Sequence, residues 1–573
     1  MEESPELKNP LLKLITDLGH SVVSFRQLPP LLACLACLSC LLAASAVSAD
    51  DEALNERLRK RLLDPDAPAS EPAGVLHWGG DAEGGAPYQL RDPQDPARVI
   101  GFEVELADAL SEILSRRLGM PVTAEFEQYQ WESLELGLEH ADFDCIISGF
   151  EITPQRQRVM RFTRPYYVFA EQLVVRKDDD RIKSIEDCLD KSVGTLASSS
   201  AHRLLEERKV RNVEAFEGQV EPYLDLELGR LDAVLLDSII ALYYASVNPK
   251  LKYVGEPFAQ GEYAIALRPE DEDLAVALDD ALGEMIRNGA LLEIFRKWHL
   301  WNADQGQLIT GRGAGREERE AELRGLGFTT DAQPQDPLPP ALHNAVDIHI
   351  IAASAELWTF SDYAPLLLKG AAMTIFLTIC SMAAAVTLAL PISLARLYGP
   401  WPLRWLALLY VEFFRGIPLL LLLFILYFGL PHIPHFGIQM PAVLTAIVAF
   451  GMNYAAYEAE IYRSAILSVP RGQWEAARAL GMNEKTTFRR IILPQALQTA
   501  LGPMTNDFVA MFKDTSLVSI IAVEELTKEY MILSRSSLKF FEMGILTAVL
   551  YLCMSVPLGY LSRYLESRIK SVR

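Results

Sequence analysis

The chain has 573 residues, half of them hydrophobic, with 75 acidic against 53 basic side chains and a formal net charge of −22. That length allows two or three domains, and the acidic balance argues against a nucleic-acid partner, which would need clustered Lys and Arg. The seven cysteines make no disulfide framework: Cys34, Cys37 and Cys40 lie in an apolar leader, Cys380 and Cys553 in long apolar runs, and Cys145 and Cys188 in separate predicted lobes. Charge and apolar runs occupy different parts of the chain, with acid crowding residues 50–345 and long apolar segments filling 364–562.

Residues 1–28 are polar and carry Lys8, Lys13 and Arg26, Leu31–Ala44 is apolar apart from Ser39, and small residues follow to Ala49. A basic start, a short apolar core and a small-residue end describe a signal peptide over 1–49, or an uncleaved signal anchor, since 31–49 is uncharged throughout. Either sends the next domain across a membrane. Leu-Leu-Ala-Cys34 has the form of a lipoprotein box but falls too early in the apolar core. Residues 50–73 are charged and Pro-rich and are expected to be a linker.

From Val75 to Trp301 short apolar strands alternate with amphipathic helices. Gly101–Leu106 runs into a helical pattern with Leu106, Ala109, Leu110 and Ile113 on one face, and strand-like stretches follow at 145–147, 172–175, 193–195 and 233–236. This alternation predicts an α/β domain with largely parallel sheets and ligand sites at strand C-terminal ends. GFEVELADAL, SGFEITPQRQRVMRFTRPYY, GRLDAVLLDS and NGALLEIFRKW, in that order, resemble the family-3 solute-binding proteins of polar amino-acid ABC importers. The resemblance covers about residues 74–301 and implies a two-lobed (type II) clamp, with lobe one from 74 to about 175 and 260–301, and lobe two from about 176 to 259.

An amino-acid zwitterion needs a donor fork for its carboxylate and an acceptor for its ammonium. The resemblance puts the fork at Arg156, where a bidentate guanidinium suits the chemistry, and the ammonium partner at Asp237, which ends an apolar strand. Ser199 and Ser200 open a helix whose free amides suit a carboxylate, although serine there also makes an ordinary N-cap. Trp131 stands where the family keeps an aromatic against the ligand, and Gly149 belongs to the same motif. Two departures stand out: Glu151 replaces a small hydroxyl residue two positions after Gly149, and GGDAEGGAPY, with Glu83, replaces an aromatic-bearing loop. Both should enlarge the pocket and make it more negative. The expected ligand is therefore a polar or basic amino acid, or a derivative carrying an extra cationic or donor group. No metal or cofactor is expected.

Residues 302–363 return to linker character: GRGAGREEREAEL predicts a short charged helix and DAQPQDPLPP a semi-rigid spacer. Five apolar runs follow, at about 370–395, 404–430, 440–463, 491–521 and 541–562, each long enough to span a bilayer. Arg396 and Arg404 flank the first connection, six Lys or Arg residues crowd 463–490, and the tail carries four more, so these segments face the cytoplasm. Glu475–Pro494, EAARALGMNEKTTFRRIILP, together with YVEFFRGIPLLLLLF, AEIYRSAILSVPRGQWEAA and FKDTSLVSII, resembles five-helix amino-acid ABC permeases. The resemblance implies an all-α permease domain over 364–573. It makes Glu475, Ala476, Ala477 and Gly481 the dock for a separate ABC ATPase. Asn453, Asn506, Asp507, Lys513 and Asp514 are candidates for a polar path, since charge inside a span is costly unless it faces an interior or a partner. Glu412 and Arg415 are spaced to pair on one helix face.

No P-loop is present, so ATP hydrolysis falls to a partner subunit and the chain is read as a transporter rather than an enzyme. The expected assembly is a homodimer in the lipid bilayer of a bacterial inner membrane, with the clamp in the periplasm. A ligand-gated receptor or channel is the alternative, but there is no TVGYG filter. An enzyme on a binding-protein fold, such as a dehydratase, would leave the permease half unexplained.

Overall fold

The computed structural model describes residues 51–310 and 358–571, apart from 66, 69–71, 434–437, 439, 522 and 538. The leader, the GRGAGREEREAEL stretch and the Pro-rich spacer lie outside them. Residues 51–62, expected as linker, form a helix.

The α/β half contains two five-stranded sheets. In the first, β1 (Gly74–Gly80) lies parallel to β4 (Val122–Gln128) and β5 (Cys145–Ile146), while β12 (Ala266–Leu267) runs antiparallel to β5 and β6 (Arg161–Phe162). A two-stranded ribbon, β2 (Leu90–Arg91) and β3 (Val99–Ile100), stands beside it. The second sheet has the order β11-β7-β10-β8-β9. There β7 (Tyr167–Arg176) pairs antiparallel with β10 (Ala233–Asp237) and β11 (Leu251–Tyr263), and β8 (Ser192–Leu196) pairs parallel with β9 (Asn212–Phe216) and β10.

Two expectations change here. The sheets are mixed rather than largely parallel: β12 returns to the first sheet from the second and runs antiparallel to both its neighbours, and β7, the strand that enters the second sheet, runs antiparallel to both of its own. The lobe boundary also moves: β7 and β11 pair along most of their length in the second sheet, so residues 167–175 and 260–263 belong to lobe two. The apolar core of that lobe is built by Leu173, Val175, Val193 and Leu235 from its central strands. Helix α1 (Phe102–Leu118) buries Leu106, Leu110 and Leu114, and Gly119 closes it at φ 64°, a backbone state that favours glycine. Helices α2 (Ser200–Glu207) and α3 (Glu221–Glu227) belong to lobe two.

Within the expected linker from 302, residues 303–310 form a helix. Helix α4 (Ala303–Thr310) is tied to β7 through Gln305, whose side chain accepts from Val168 N–H at 2.9 Å and donates to its carbonyl at 2.6 Å. At the other end Trp358 is buried and donates to the Asp92 carbonyl at 3.1 Å, and α5 (Phe360–Tyr398) begins two residues later.

The C-terminal half is helical. Among the described residues two helices, α5 and the Phe540–Tyr560 part of α11 (Phe540–Ser571), are long and apolar enough to cross a membrane. The run 404–430 is not one straight span. It breaks into α6 (Trp401–Gly416) and a second segment from Leu419, bent by 107°. Pro418 explains the break: it lacks an N–H, and it pushes Ile417 to φ −97°, ψ 133°. Helices α7 (Ala442–Ser468) and α9 (Leu493–Asp514) are 27 and 22 residues long but carry acidic and basic groups. Between them lies α8 (Arg471–Ala479). A 3-10 stretch (Thr515–Ile521) follows α9 and leads to α10 (Leu526–Ser537). Small residues Ala385, Ala446, Ala449 and Ala456 let helices approach closely in the permease core.

Candidate functional site

Burial makes the cleft an acidic site with little free space. A cavity of about 10 Å³, room for one water, lies among Asp81, Tyr88, Trp131 and Ser148 of lobe one and Leu196 and Gln219 of lobe two. Gly149 has φ 57° and donates its N–H to Glu103 at 2.6 Å, and a Cβ there would come within 2.8 Å of the Tyr88 ring. Burial holds the Glu103 carboxyl up to about 7, against hydrogen bonds from Tyr166, Gly149 and Gln89 that lower it.

Arg156 is buried. Its guanidinium lies 4.0 Å from the Phe150 ring centroid and 5.4 Å from that of Trp131, and Nε reaches Glu135 at 2.7 Å. Its Nη1 donates to the Glu151 carbonyl at 3.3 Å and stands 3.6 Å from the Glu151 carboxylate. Trp131 also donates its backbone N–H to Asp81 at 2.9 Å. Across the cleft, Ser199 caps α2: its hydroxyl accepts from His202 N–H at 3.1 Å and donates to the Leu196 carbonyl at 2.8 Å. The Ser200 amide donates to the Glu151 carboxylate at 2.8 Å, and Arg203 donates to the other Glu151 oxygen at 2.8 Å. The structure thus brings Arg156, Glu151 and Ser200 together.

Asp237 accepts from the hydroxyls of Tyr263 and, at 3.5 Å, Tyr88. Burial, then the neighbouring Glu151 charge, pushes its carboxyl up to about 7. Its cross-strand neighbour is Glu171, also raised, by burial first and then by Asp237. Glu171 was not singled out from sequence. Its signal is a carboxylate in the otherwise apolar run of β7, whose burial pattern is nearly continuous.

Glu83 lies elsewhere. It forms buried ion pairs with Lys528 and Arg535 of α10, and Lys528 makes its contact without hydrogen-bond geometry. Arg535 also donates to Glu221 of α3 at 2.7 Å, so one guanidinium touches both lobes. Tyr427 adds a further contact, donating to Asp142 at 2.9 Å beside Tyr129. Lys528 and Arg535 are seven apart, hence on one helix face; no local pattern tells that this face meets the clamp.

In the permease half a cavity of about 520 Å³ is lined by Arg415, Asn453, Tyr454, Tyr457, Asp507 and Asp514, among others. That is a volume a small organic ligand fills. Of the polar-path candidates, Asn453, Asp507 and Asp514 meet there, while Asn506 and Lys513 are exposed and do not line it. Tyr454 donates to Asp514 at 2.7 Å and Asn453 to the Phe414 carbonyl at 2.7 Å. Arg415 lies 5.4 Å over the Tyr457 ring, and among the described residues no ion pair joins it to Glu412, contrary to the sequence expectation. Helix 3.6-periodicity allows the pair, but the aromatic face of α7 competes for the guanidinium.

Glu475, Ala476 and Ala477 lie on α8, and the first two are exposed. Gly481 has φ 72° with open space around the position of a Cβ, and Asn483 caps the next turn by accepting from Thr486 N–H at 2.8 Å. The result is a bare elbow with Leu480 80% exposed. Beside it a groove of about 790 Å³ is lined by Leu394, Tyr398, Leu467, Trp474 and Phe488, among others.

Residues 78–300 match the family model for bacterial extracellular solute-binding proteins, family 3, and 365–571 match that for the binding-protein-dependent transport system inner membrane component. The permease half is 46% identical over 187 residues to the probable amino-acid ABC transporter permease protein YckA of Bacillus subtilis, covering 33% of this chain and 81% of that protein. It is 35% identical over 206 residues to the glutamine transport system permease protein GlnP of Escherichia coli, covering 36% and 94%. A solved ancestral arginine-binding protein bound to glutamine is 30% identical, with a TM-score of 0.37, over 39% of this chain and 98% of its own. With both halves matched to transport families, the channel and enzyme readings give way. The chain belongs to the amino-acid ABC transporter permeases, with a family-3 solute-binding domain fused ahead of the permease domain.

Proposed function

We propose that the clamp captures a polar or basic amino acid, or a derivative of one, on the periplasmic side and delivers it to its own permease domain for import. The observation that carries this reading is Arg535, which reaches Glu83 of lobe one and Glu221 of lobe two at once. One permease side chain can hold both carboxylates only when the lobes are close, so it links clamp closure to the membrane domain. Arg156, Gly149, Trp131, Ser199, Ser200, Glu151 and Asp237 form the ligand cleft. The cavity at Asn453, Asp507 and Asp514 is the inner stretch of the path, and the elbow at Glu475–Gly481 receives the ATPase. The working unit is a homodimer in the inner membrane, because one permease domain supplies half of a two-domain path.

The test is uptake into lipid vesicles carrying the full chain with and without its ATPase. Accumulation that needs both ATP and the ATPase supports import. Ligand-evoked current without ATP would contradict it.

A further inference from the structure

The Glu151 carboxylate lies where an incoming carboxylate would be received. It is buried, and it takes the Ser200 amide at the start of α2, the Arg203 guanidinium on the opposite oxygen, and Arg156 at 3.6 Å. Arg156 itself is further claimed by Glu135 at 2.7 Å. An anion at a helix N-terminus with two guanidinium groups is the arrangement a free carboxylate seeks. Here the chain supplies that anion from its own side chain, two residues after Gly149.

The other end of the site has the opposite character. Glu171 of β7 and Asp237 of β10 are directly opposed across an antiparallel pair, so their side chains share one face. Both are at least nine-tenths buried and lie close enough to share a proton, and no donor other than that carboxyl proton reaches either Glu171 oxygen among the described residues. Opposed buried carboxylates are costly unless a proton or a cation joins them. Tyr88 of lobe one points its hydroxyl at Asp237, which puts the pair at the junction of the lobes.

We propose that Glu151 is a built-in substitute for the ligand carboxylate, so that the clamp takes an organic cation without a free carboxylate, an amine or guanidine whose cationic head is received by Glu171 and Asp237. This rests on the import reading and narrows its cargo to amino-acid derivatives that have lost the acid group. Two anionic groups at one end suit a cation, and no cationic receptor is left open at the other. A ligand bearing its own carboxylate would have to displace Glu151 from two hydrogen-bond donors and the nearby Arg156 charge.

The test is calorimetry on the full chain in lipid nanodiscs with two matched pairs of probes, arginine against agmatine and lysine against cadaverine. Within each pair only the carboxylate differs. At least one amine should bind ten-fold or more tighter than its amino acid. Glu151→Thr frees the Ser200 amide and Arg203, and should raise affinity for the amino acid at least ten-fold. Glu151→Gln keeps the side-chain shape and should move the preference the same way, which keeps the test valid if the Thr variant unfolds. Tighter binding of arginine or lysine by the wild type, with no gain in either variant, overturns the proposal. Binding of glutamine but none of the four probes overturns it while leaving the import reading standing. A folded chain that binds none of the five overturns both.

Discussion

The two faces of the permease domain differ in one respect that orders the rest. The face toward the clamp is finished: Lys528 and Glu83 are 0% and 1% exposed at the side chain, Arg535 is held by two lobes, and Tyr427 meets Asp142. The opposite elbow is bare, with Leu480 80% exposed and Gly481 surrounded by open space. A surface whose partner lies in the same chain has its charges paired and covered. A surface whose partner is a separate subunit leaves apolar side chains in the open, as a docking site does. Fusion of clamp and permease has therefore completed one interface, and the bare elbow is the face we propose for the separate ATPase.

The largest effect should come from the finished face. Glu83→Ala leaves Lys528 buried without its counter-charge, which costs about 3–5 kcal/mol. The unfolding midpoint of the full chain should drop accordingly, and the double change Glu83→Ala, Lys528→Met should recover most of the loss. A single variant as stable as the wild type would mean that the clamp does not rest on α10.

Acid titration sharpens the same side. Asp237 and Glu103 are both held up to about 7 by burial, so the folded chain keeps protons that the unfolded chain releases above about pH 4. With more protons bound in the folded state, stability falls as pH rises from about 4 to about 7, by at most about 1.4 kcal/mol per pH unit per group. Thermal unfolding between pH 5 and pH 7.5 should show this decline, and Asp237→Asn should flatten it. A midpoint that climbs over the same range would contradict a sealed, acidic cleft.

The bare face should cost the fold least. A Cβ at position 481 meets no neighbour within 4 Å, so Gly481→Leu carries chiefly the strain of φ 72°, about 1–2 kcal/mol. Ligand binding to the clamp should be unchanged while ATP hydrolysis by the partner subunit loses its response to ligand. An unaltered response would remove the elbow from the coupling route.

Much of this could be read from the residues, and the exceptions have common causes. Strands at 145–146, 192–196 and 233–237 announce themselves as short apolar runs, and Asp237 is visible because it ends one of them. The lobe boundary was not visible, because periodicity reports which residues are buried and not which sheet a strand joins. Glu151 stood out as a departure, but its surroundings depend on Arg203, which a register across two lobes brings to it. Glu83 was legible only as an acid in an unusual loop. Its partners Lys528 and Arg535 lie in another domain, and no local pattern connects them. The bend at Pro418 was there to be read, since a proline after Ile417 denies the helix a donor.

The most direct test of the account is ligand-stimulated ATP hydrolysis by the partner ATPase in nanodiscs containing the wild-type chain or Arg535→Ala. If this guanidinium links both lobes to the membrane domain, the variant binds ligand at the clamp as the wild type does, while stimulation falls roughly ten-fold or more, as expected for loss of charged hydrogen bonds of about 1.5–3 kcal/mol. Equal stimulation in the two chains would contradict it.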